Sequence, residues 1–236
     1  MKFDNSWTGN WENAFRGLRH PMESYAKSDS EFGLENLEYI RDRELTRVDG
    51  ELGEYAAIGP NDLDLAQRMI KAGSPNDKFL RQIFVSVDIT APLYFWKELD
   101  TYKVATVANS TSTMHKLAST PITKKCFEMD DYNGNGLLKL YDREPYNIDD
   151  MWDSMICYCE TLRQRYLETK DMKYWKELIR VLPESWLQTR AWSANYSTLR
   201  GIIHWRRGHK LSEWAQFINW CKELPYAEEL LFYAQD

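Results

Sequence analysis

The sequence is short of most of the features by which a chain announces a partner or a chemistry. No stretch approaches the ~20 consecutive apolar residues of a membrane-spanning helix. The start of the chain, MKFDNSWTGNWENAF, has acids and Trp where a secretion signal carries an apolar core. Cysteine is scarce, with 4 in 236 residues. Cys157 and Cys159 form a C-x-C, and neither they nor Cys126 and Cys221 match a zinc or redox spacing. Reduced thiols in an intracellular protein are the expectation. The histidines, His20, His115, His204 and His209, give no metal spacing either. His204 and His209 are five apart and do not share a helix face. There is no G-x-G-x-x-G, no P-loop and no G-x-S-x-G. Positive charge is not in excess: 30 Lys and Arg stand against 36 Asp and Glu, a net −6. That balance speaks against a dedicated nucleic-acid binder, which carries a basic stripe. Together these gaps predict a soluble cytoplasmic protein without metal, membrane or nucleic-acid partners.

Aromatic rings, by contrast, are plentiful: 10 Trp, 14 Tyr and 9 Phe. They can fill a large core, with a surplus for an oligomer interface or a planar ligand. Residues 1–35 read as loop with a short helix near Trp11–Leu18. Residues 36–58 are ambiguous. From Asn61 to Gly73 a helix is predicted, capped by Asn61, favoured by Asp62 and Asp64 near its positive end, and stopped by Gly73. In residues 82–90, Ile83, Val85, Val87 and Ile89 alternate with polar neighbours, which is the pattern of a half-buried strand. Ala91-Pro92 ends it, and a helix follows from Leu93 to about Leu99. Residues 126–150, rich in Gly, Asn and Asp, read as an insertion with a hairpin turning at Asn133–Gly136. Asp131, Asn133, Asn135, Gly136 and Asp142 also occupy Ca²⁺-loop positions. The final Glu is missing and Pro145 disrupts an exiting helix, so turn chemistry is the simpler reading.

Beyond Asp149 the chain reads as helical. Met151, Met155, Tyr158, Leu162 and Tyr166 recur at helical spacing. Asp171 caps a second helix that ends before Pro183. Further helices are predicted at Arg190–Arg206, Ser212–Leu224 and Tyr226–Ala234. The expected fold class is α+β, with a central antiparallel or mixed sheet and a helical second half. The expected organisation is a single domain over 1–236.

Two stretches can carry chemistry. The first, Ala91 to Lys116, sets hydroxyls and amides beside Lys103, His115 and Lys116, a mixture that can hold a phosphate or a base edge. A polar connecting loop is the alternative. In the second, Pro183 to Gln216, Arg190, Arg200, Arg206, Arg207 and Lys210 stand among Trp186, Trp192, Trp205 and Trp214. Such a face suits a planar anion. A surface helix with core Trp residues would look the same.

Taken together, these stretches resemble the flavin-dependent (alternative) thymidylate synthases, of the ThyX type. That family has a strand ending in Ala-Pro, a short helix, and the signature Arg-His-Arg-x-x-Ser-x-Asn-x-x-Ser-x-Arg. Here FVSVDITAP precedes LYFWKELD and TYKVATVANSTSTMHK. Lys103 falls on the second Arg and Thr106 on the first Ser. With one inserted residue, Asn109 falls on the Asn and Ser112 on the second Ser, and His115 takes the place of the aromatic after the last Arg. The family's later Val-Leu-Pro, Asn, Arg and Ala-Gln correspond in order to Val181-Leu182-Pro183, Asn195, Arg206 and Ala215-Gln216. Arg180 lies one position off the family's Arg before Val-Leu-Pro. The branch is similar to one carried by bacteriophages.

The resemblance implies reductive methylation of dUMP or a related pyrimidine nucleotide. FAD is the cofactor, and methylenetetrahydrofolate and NADPH are co-substrates. It also implies a homotetramer in the bacterial or phage-infected cytoplasm, with sites shared between subunits. Carried over residue by residue, Lys103, Asn195 and Thr106 would bind the flavin. Asn109, Ser112, His115 and Arg206 would bind the nucleotide, and Arg206 would stabilise charge on the uracil ring as the catalytic residue. The departures are specific. The signature's first Arg and His are Thr101 and Tyr102. Its last Arg is Thr113 or Met114, and the Gln before it is Glu98. Lys and His do not reproduce an arginine's planar fork; His115, Lys116 or Arg190 would have to compensate. A catalytically degenerate nucleotide-binding protein, in a sequestering or regulatory role, is the alternative. An unrelated interaction protein is a third reading.

Overall fold

A computed structural model of the chain describes residues 1–35, 53–130, 132–139 and 144–235. In chain order its main elements are β1 (Lys2–Gly9), α1 (Trp11–Arg19), β2 (Glu31–Glu35), β3 (Gly53–Ala57), α2 (Pro60–Ala72), β4 (Phe84–Pro92), α3 (Leu93–Leu99), β5 (Val107–Ser110), α4 (Thr113–Lys116), β6 (Leu137–Leu138), β7 (Tyr146–Asn147), α5 (Ile148–Thr169), α6 (Met172–Val181), β8 (Leu187–Asn195), α7 (Tyr196–Arg206) and α8 (Ser212–Lys222). A π-helical turn at Ala227–Leu231 follows. The fold is mixed α and β with antiparallel pairing, as the composition of elements predicted. The principal sheet has the strand order β1-β4-β8-β5.

Strand β4 follows the predicted alternation. Ile83, Val85, Val87 and Ile89 are no more than 1% exposed, while Phe84 is 47% exposed. Pro92 closes the strand because it has no N–H to donate, and α3 starts at the next residue with Phe95, Trp96 and Leu99 buried. Burying side chains of that size stabilises the fold by roughly 1.5–3 kcal/mol each.

Several expectations are corrected. The opening loop is in part a strand, β1. Its burial alternation slips by one at Asn5, which has φ 53°, so the period of two is broken in mid-strand. The helix predicted over Arg190–Arg206 is a strand as far as Asn195, and α7 begins only at Tyr196. Gln188, Trp192 and Ala194 are buried at spacings of two and four, a strand period that the Arg and Trp content masks. Tyr226–Ala234 forms only the short π-helical turn. The cap of α2 is Gly59, with no cap from Asn61. Instead the Asp29 carboxylate accepts from the N–H groups of Asn61 (2.9 Å) and Asp62 (3.1 Å), covering donors left open in the first turn. Gly73, at φ 70°, stops α2 as predicted. On α5 the apolar stripe faces outward at its start: Met151, Met155 and Tyr158 are 42%, 39% and 46% exposed. The inward face is Cys159, Leu162 and Arg163, with Trp152 and Ile156 half-buried. At 126–150, a turn does close at Asn133–Gly136, with Gly136 N–H donating to Asn133 (3.2 Å). The hairpin itself lies further on, where Leu137 pairs with Asn147 and Leu138 with Tyr146. Asp131 and Asp142, and most of the ambiguous stretch 36–58, lie outside the described residues.

The chain divides into two compact units. One comprises Met1–Lys2, Ile89–Thr101 and Asn109–Arg190. Leu117, Ile122, Phe127, Cys159, Leu162 and Leu178 form a core within it. Arg163 clamps its two α5-side segments. It donates from Nε and Nη2 to the two oxygens of Glu160 (2.7 and 2.6 Å) and from Nη1 to the Ala118 carbonyl (2.9 Å). The other unit comprises Phe3–Asp88, Tyr102–Ala108 and Ala191–Asp236. Its buried rings include Trp11, Phe15, Tyr196, Trp214 and Phe217. A buried ion pair joins α1 to α2 there: Arg19 Nε donates to Asp62 at 2.5 Å. Burial raises the Asp62 pKa, but hydrogen bonds from Ser30, Ser28 and Arg19 outweigh it and leave the carboxyl below its ordinary value.

Glu160 generates an acid-stability prediction. The Arg163 hydrogen bonds, against some desolvation, hold its pKa at about 2 rather than 4.5. Its stabilising contribution is present above the unfolded pKa and is lost as pH falls from 4.5 toward 2. Urea unfolding at stepped pH should show Glu160→Gln less stable than wild type by about 2 kcal/mol at neutral pH. The difference should shrink across that acid window.

Candidate functional site

Within the second unit, residues 102–106 form a loop that closes on itself and on α7. Thr106 Oγ1 donates to the Tyr102 carbonyl at 2.5 Å, and Thr198 Oγ1 donates to the Val104 carbonyl at 3.1 Å. Ala105 turns the loop with φ 56°. Thr198 is placed in turn by Asn195, whose Oδ1 accepts from the Thr198 N–H at 2.9 Å and caps α7. Asn195 is buried at 4% exposure. Thus three of the predicted flavin-binding residues share one neighbourhood: exposed Lys103, half-buried Thr106 and the capping Asn195.

Arg206 ends α7. Its Nε donates to Tyr102 Oη at 2.9 Å. The guanidinium lies 4.4 Å from the Trp214 ring centre and 5.4 Å from that of Tyr102. The chain can turn sharply after Arg206 because Gly208 adopts φ 69°, and the His209 N–H returns to the Arg206 carbonyl at 3.2 Å. The turn opens onto a cavity of about 230 Å³ lined by Arg206, Arg207, His209 and Asn219, with Ala215 and Ile218 as its apolar wall. His209 Nδ1 accepts from the Leu211 N–H at 3.2 Å. Cationic donors, an imidazole and an amide around one cavity are groups that can hold an anion.

The predicted nucleotide residues Asn109, Ser112 and His115 belong to the first unit. Asn109 is exposed on β5. The Ser112 carbonyl accepts from the Lys116 N–H at 2.9 Å and opens α4, which carries His115.

Several of the cations expected to meet an anion are engaged by the protein itself. Arg190 donates from Nη1 to both oxygens of Asp100 at 3.0 Å and from Nε to Gln188 at 2.9 Å. It also stacks 4.3 Å from the Trp96 ring centre. Gln188 Nε2 reaches the Thr111 carbonyl at 2.9 Å, so this network fixes residues at both ends of the polar stretch within the first unit. Arg200 donates to the carbonyls of Leu230, Leu231 and Tyr233, and Arg207 to that of Gln235. These two tie down the C-terminal segment. Arg180 pairs with Glu177 on the exposed face of α6. Asp100 and Gln188 were not singled out from the sequence, Trp214 stood there as one of four rings among the arginines, and Tyr102 was given no role of its own. Tyr102 had a signal, since it stands where the signature has His.

Arg190→Lys keeps the charge but loses the fork and most of the ring contact. Thermal and urea unfolding should show a loss of about 1–2 kcal/mol. An unchanged midpoint would mean that the Asp100–Arg190–Trp96 arrangement contributes nothing to the fold.

No protein-family profile and no curated protein matches this sequence. Solved structures do. A flavin-dependent thymidylate synthase from Helicobacter pylori, complexed with FAD and dUMP, is 16% identical, covers 99% of this chain and 99% of its own, and superposes with a TM-score of 0.64. A second structure of that enzyme with FAD and dUMP is also 16% identical at TM-score 0.64, covering 100% of this chain and 99% of its own. A UMP/dUMP methylase from Streptomyces cacaoi, bound with 5-Br UMP, is more distant, at 14% identity, 88% and 96% coverage and TM-score 0.48. At these identities the likeness is one of fold, and it runs the whole length of the chain.

Proposed function

We propose that the protein is a flavin-dependent methyltransferase acting on dUMP or a related pyrimidine nucleotide. FAD would be its cofactor, methylenetetrahydrofolate its carbon donor and NADPH its reductant. The observation that carries the reading is Arg206, held over Trp214 and lining a cavity, in a chain with the thymidylate synthase fold.

The donor set fits such ligands. Arg206 and Arg207 bring positive charge to the cavity and His209 and Asn219 add polar groups, as a pyrimidine with a phosphate requires. Lys103, exposed on its loop, can meet a flavin phosphate as a point charge. Asn195 spends its Oδ1 on the helix cap, so its NH₂ is the group to offer a flavin carbonyl. Thr106 would act through the loop that it closes. Asn109, Ser112 and His115 would meet the nucleotide. When bound, the flavin supplies hydride and the folate supplies the carbon, so the protein need not provide a nucleophile. Its own task is to orient the pyrimidine and to set a fixed positive charge where negative charge develops on the ring; Arg206 does the latter. In the same reading the protein is a cytoplasmic homo-oligomer, and the outward Met151, Met155 and Tyr158 on α5 are the kind of surface that subunits cover.

A second reading, a nucleotide-holding protein without turnover, has one observation in its favour. Arg190, which could have replaced a missing signature arginine, is bound to Asp100.

Absorption spectra of the purified protein, with and without added FAD and dUMP, separate the readings. A flavin band near 450 nm (roughly; a property of the cofactor) that shifts on adding dUMP supports the enzyme. A nucleotide retained without any flavin supports the alternative. Arg206→Lys should weaken dUMP binding by about 10-fold or more, since Lys lacks the planar fork.

A further inference from the structure

We infer that Tyr102 is a positioning residue that sets the orientation of the Arg206 guanidinium, with Trp214 as its second support. The inference rests on the role of Arg206 proposed above. A guanidinium resting on a ring is fixed in plane but can still rotate within that plane. Trp214 supplies the first restraint, 4.4 Å from the cation. The hydrogen bond from Arg206 Nε to Tyr102 Oη, 2.9 Å long, supplies the second. Tyr102 also meets Trp214 edge-on, with ring centres 6.2 Å apart, so the three side chains brace one another.

The phenol is itself held in place. The Tyr102 carbonyl accepts from Thr106, and Val104 two residues on accepts from Thr198 of α7. Arg206 lies on the same helix, so the backbone carrying the phenol is tied to the helix carrying the arginine. A dipole aimed before reaction stabilises developing charge without reorganising at that moment. The hydroxyl therefore gives a chemical reason for Tyr at a position where the similar family has His.

The test uses the full-length protein and the conservative variant Tyr102→Phe, which keeps the ring and removes the hydroxyl. With FAD, methylenetetrahydrofolate and dUMP, kcat should fall by about 10- to 100-fold while KM for dUMP moves far less. Tyr102→His, which restores a hydrogen-bonding group, should recover part of the loss. A second readout is independent of turnover: the Arg206 Nε–H proton resonance. In wild type it should be shifted upfield by the Trp214 ring and protected from exchange with water. Tyr102→Phe should speed that exchange about 10-fold, the direction expected when a hydrogen bond is removed. Unchanged exchange in Tyr102→Phe would overturn the inference, whatever the activity. Faster exchange in Tyr102→Phe, in a protein whose wild type turns over no pyrimidine nucleotide, would support the positioning role and overturn the methyltransferase reading.

Discussion

The one-sided burial of β4 is the constraint on which the rest of the molecule depends. Ile83, Val85, Val87 and Ile89 leave essentially no surface to water. A slip of one residue would send all four outward and bring Phe84, Ser86 and Asp88 in, so the register is fixed. Once it is fixed, Pro92 ends the strand at one place, α3 starts there, and the polar stretch from Thr101 begins at a set distance from the sheet. Strand β8, next to β4 in the sheet, delivers Asn195 to the first turn of α7 by the same alternation, and α7 delivers Arg206 to its end. Within the second unit, Asn195 and Arg206 are thus placed by a strand end and a helix, and the loop 102–106 is tied to that helix by the Thr198–Val104 hydrogen bond.

The distribution of arginine then decides what the site can hold. A sequence with many arginines near tryptophans suggests one broad anion-binding face, but hydrogen-bond demand divides them. Arg200 serves three carbonyls near the C-terminus, and its burial lowers its pKa. Arg190 serves Asp100 and Gln188. Arg206 is held by rings and a phenol and lines a cavity. Arginine content therefore overstated the positive face, and of these residues Arg206 and Arg207 line the cavity.

Much of the fold was legible in the sequence where a single period ran undisturbed. β4, α3, the Gly73 stop and the Asp171 cap follow from patterns of a few residues. Elements were missed where a local feature broke the period. Asn5 breaks β1 in the middle, and the mixed Arg and Trp content of β8 reads equally well as helix. The outward turn of Met151, Met155 and Tyr158 could not be read either, because Cys159 and Leu162 define a neighbouring face at the same helical spacing. The resemblance pointed to Lys103, Thr106, Asn195 and Arg206, and the structure brings the last three into one hydrogen-bonded neighbourhood. The supporting partners, Tyr102 and Trp214 above all, depend on tertiary contacts between distant parts of the chain, which one-dimensional spacing does not record.

The central claim is that this fold, with Arg206 at its cavity, performs the nucleotide chemistry. The most direct measurement is product formation: dUMP incubated anaerobically with the protein, FAD, methylenetetrahydrofolate and NADPH, with the pyrimidine product identified by mass. The account predicts a product heavier than dUMP by one CH₂ unit, absent when FAD is omitted and greatly reduced in Arg206→Lys. Recovery of unaltered dUMP, from a protein shown in the same sample to bind both FAD and dUMP, would contradict it.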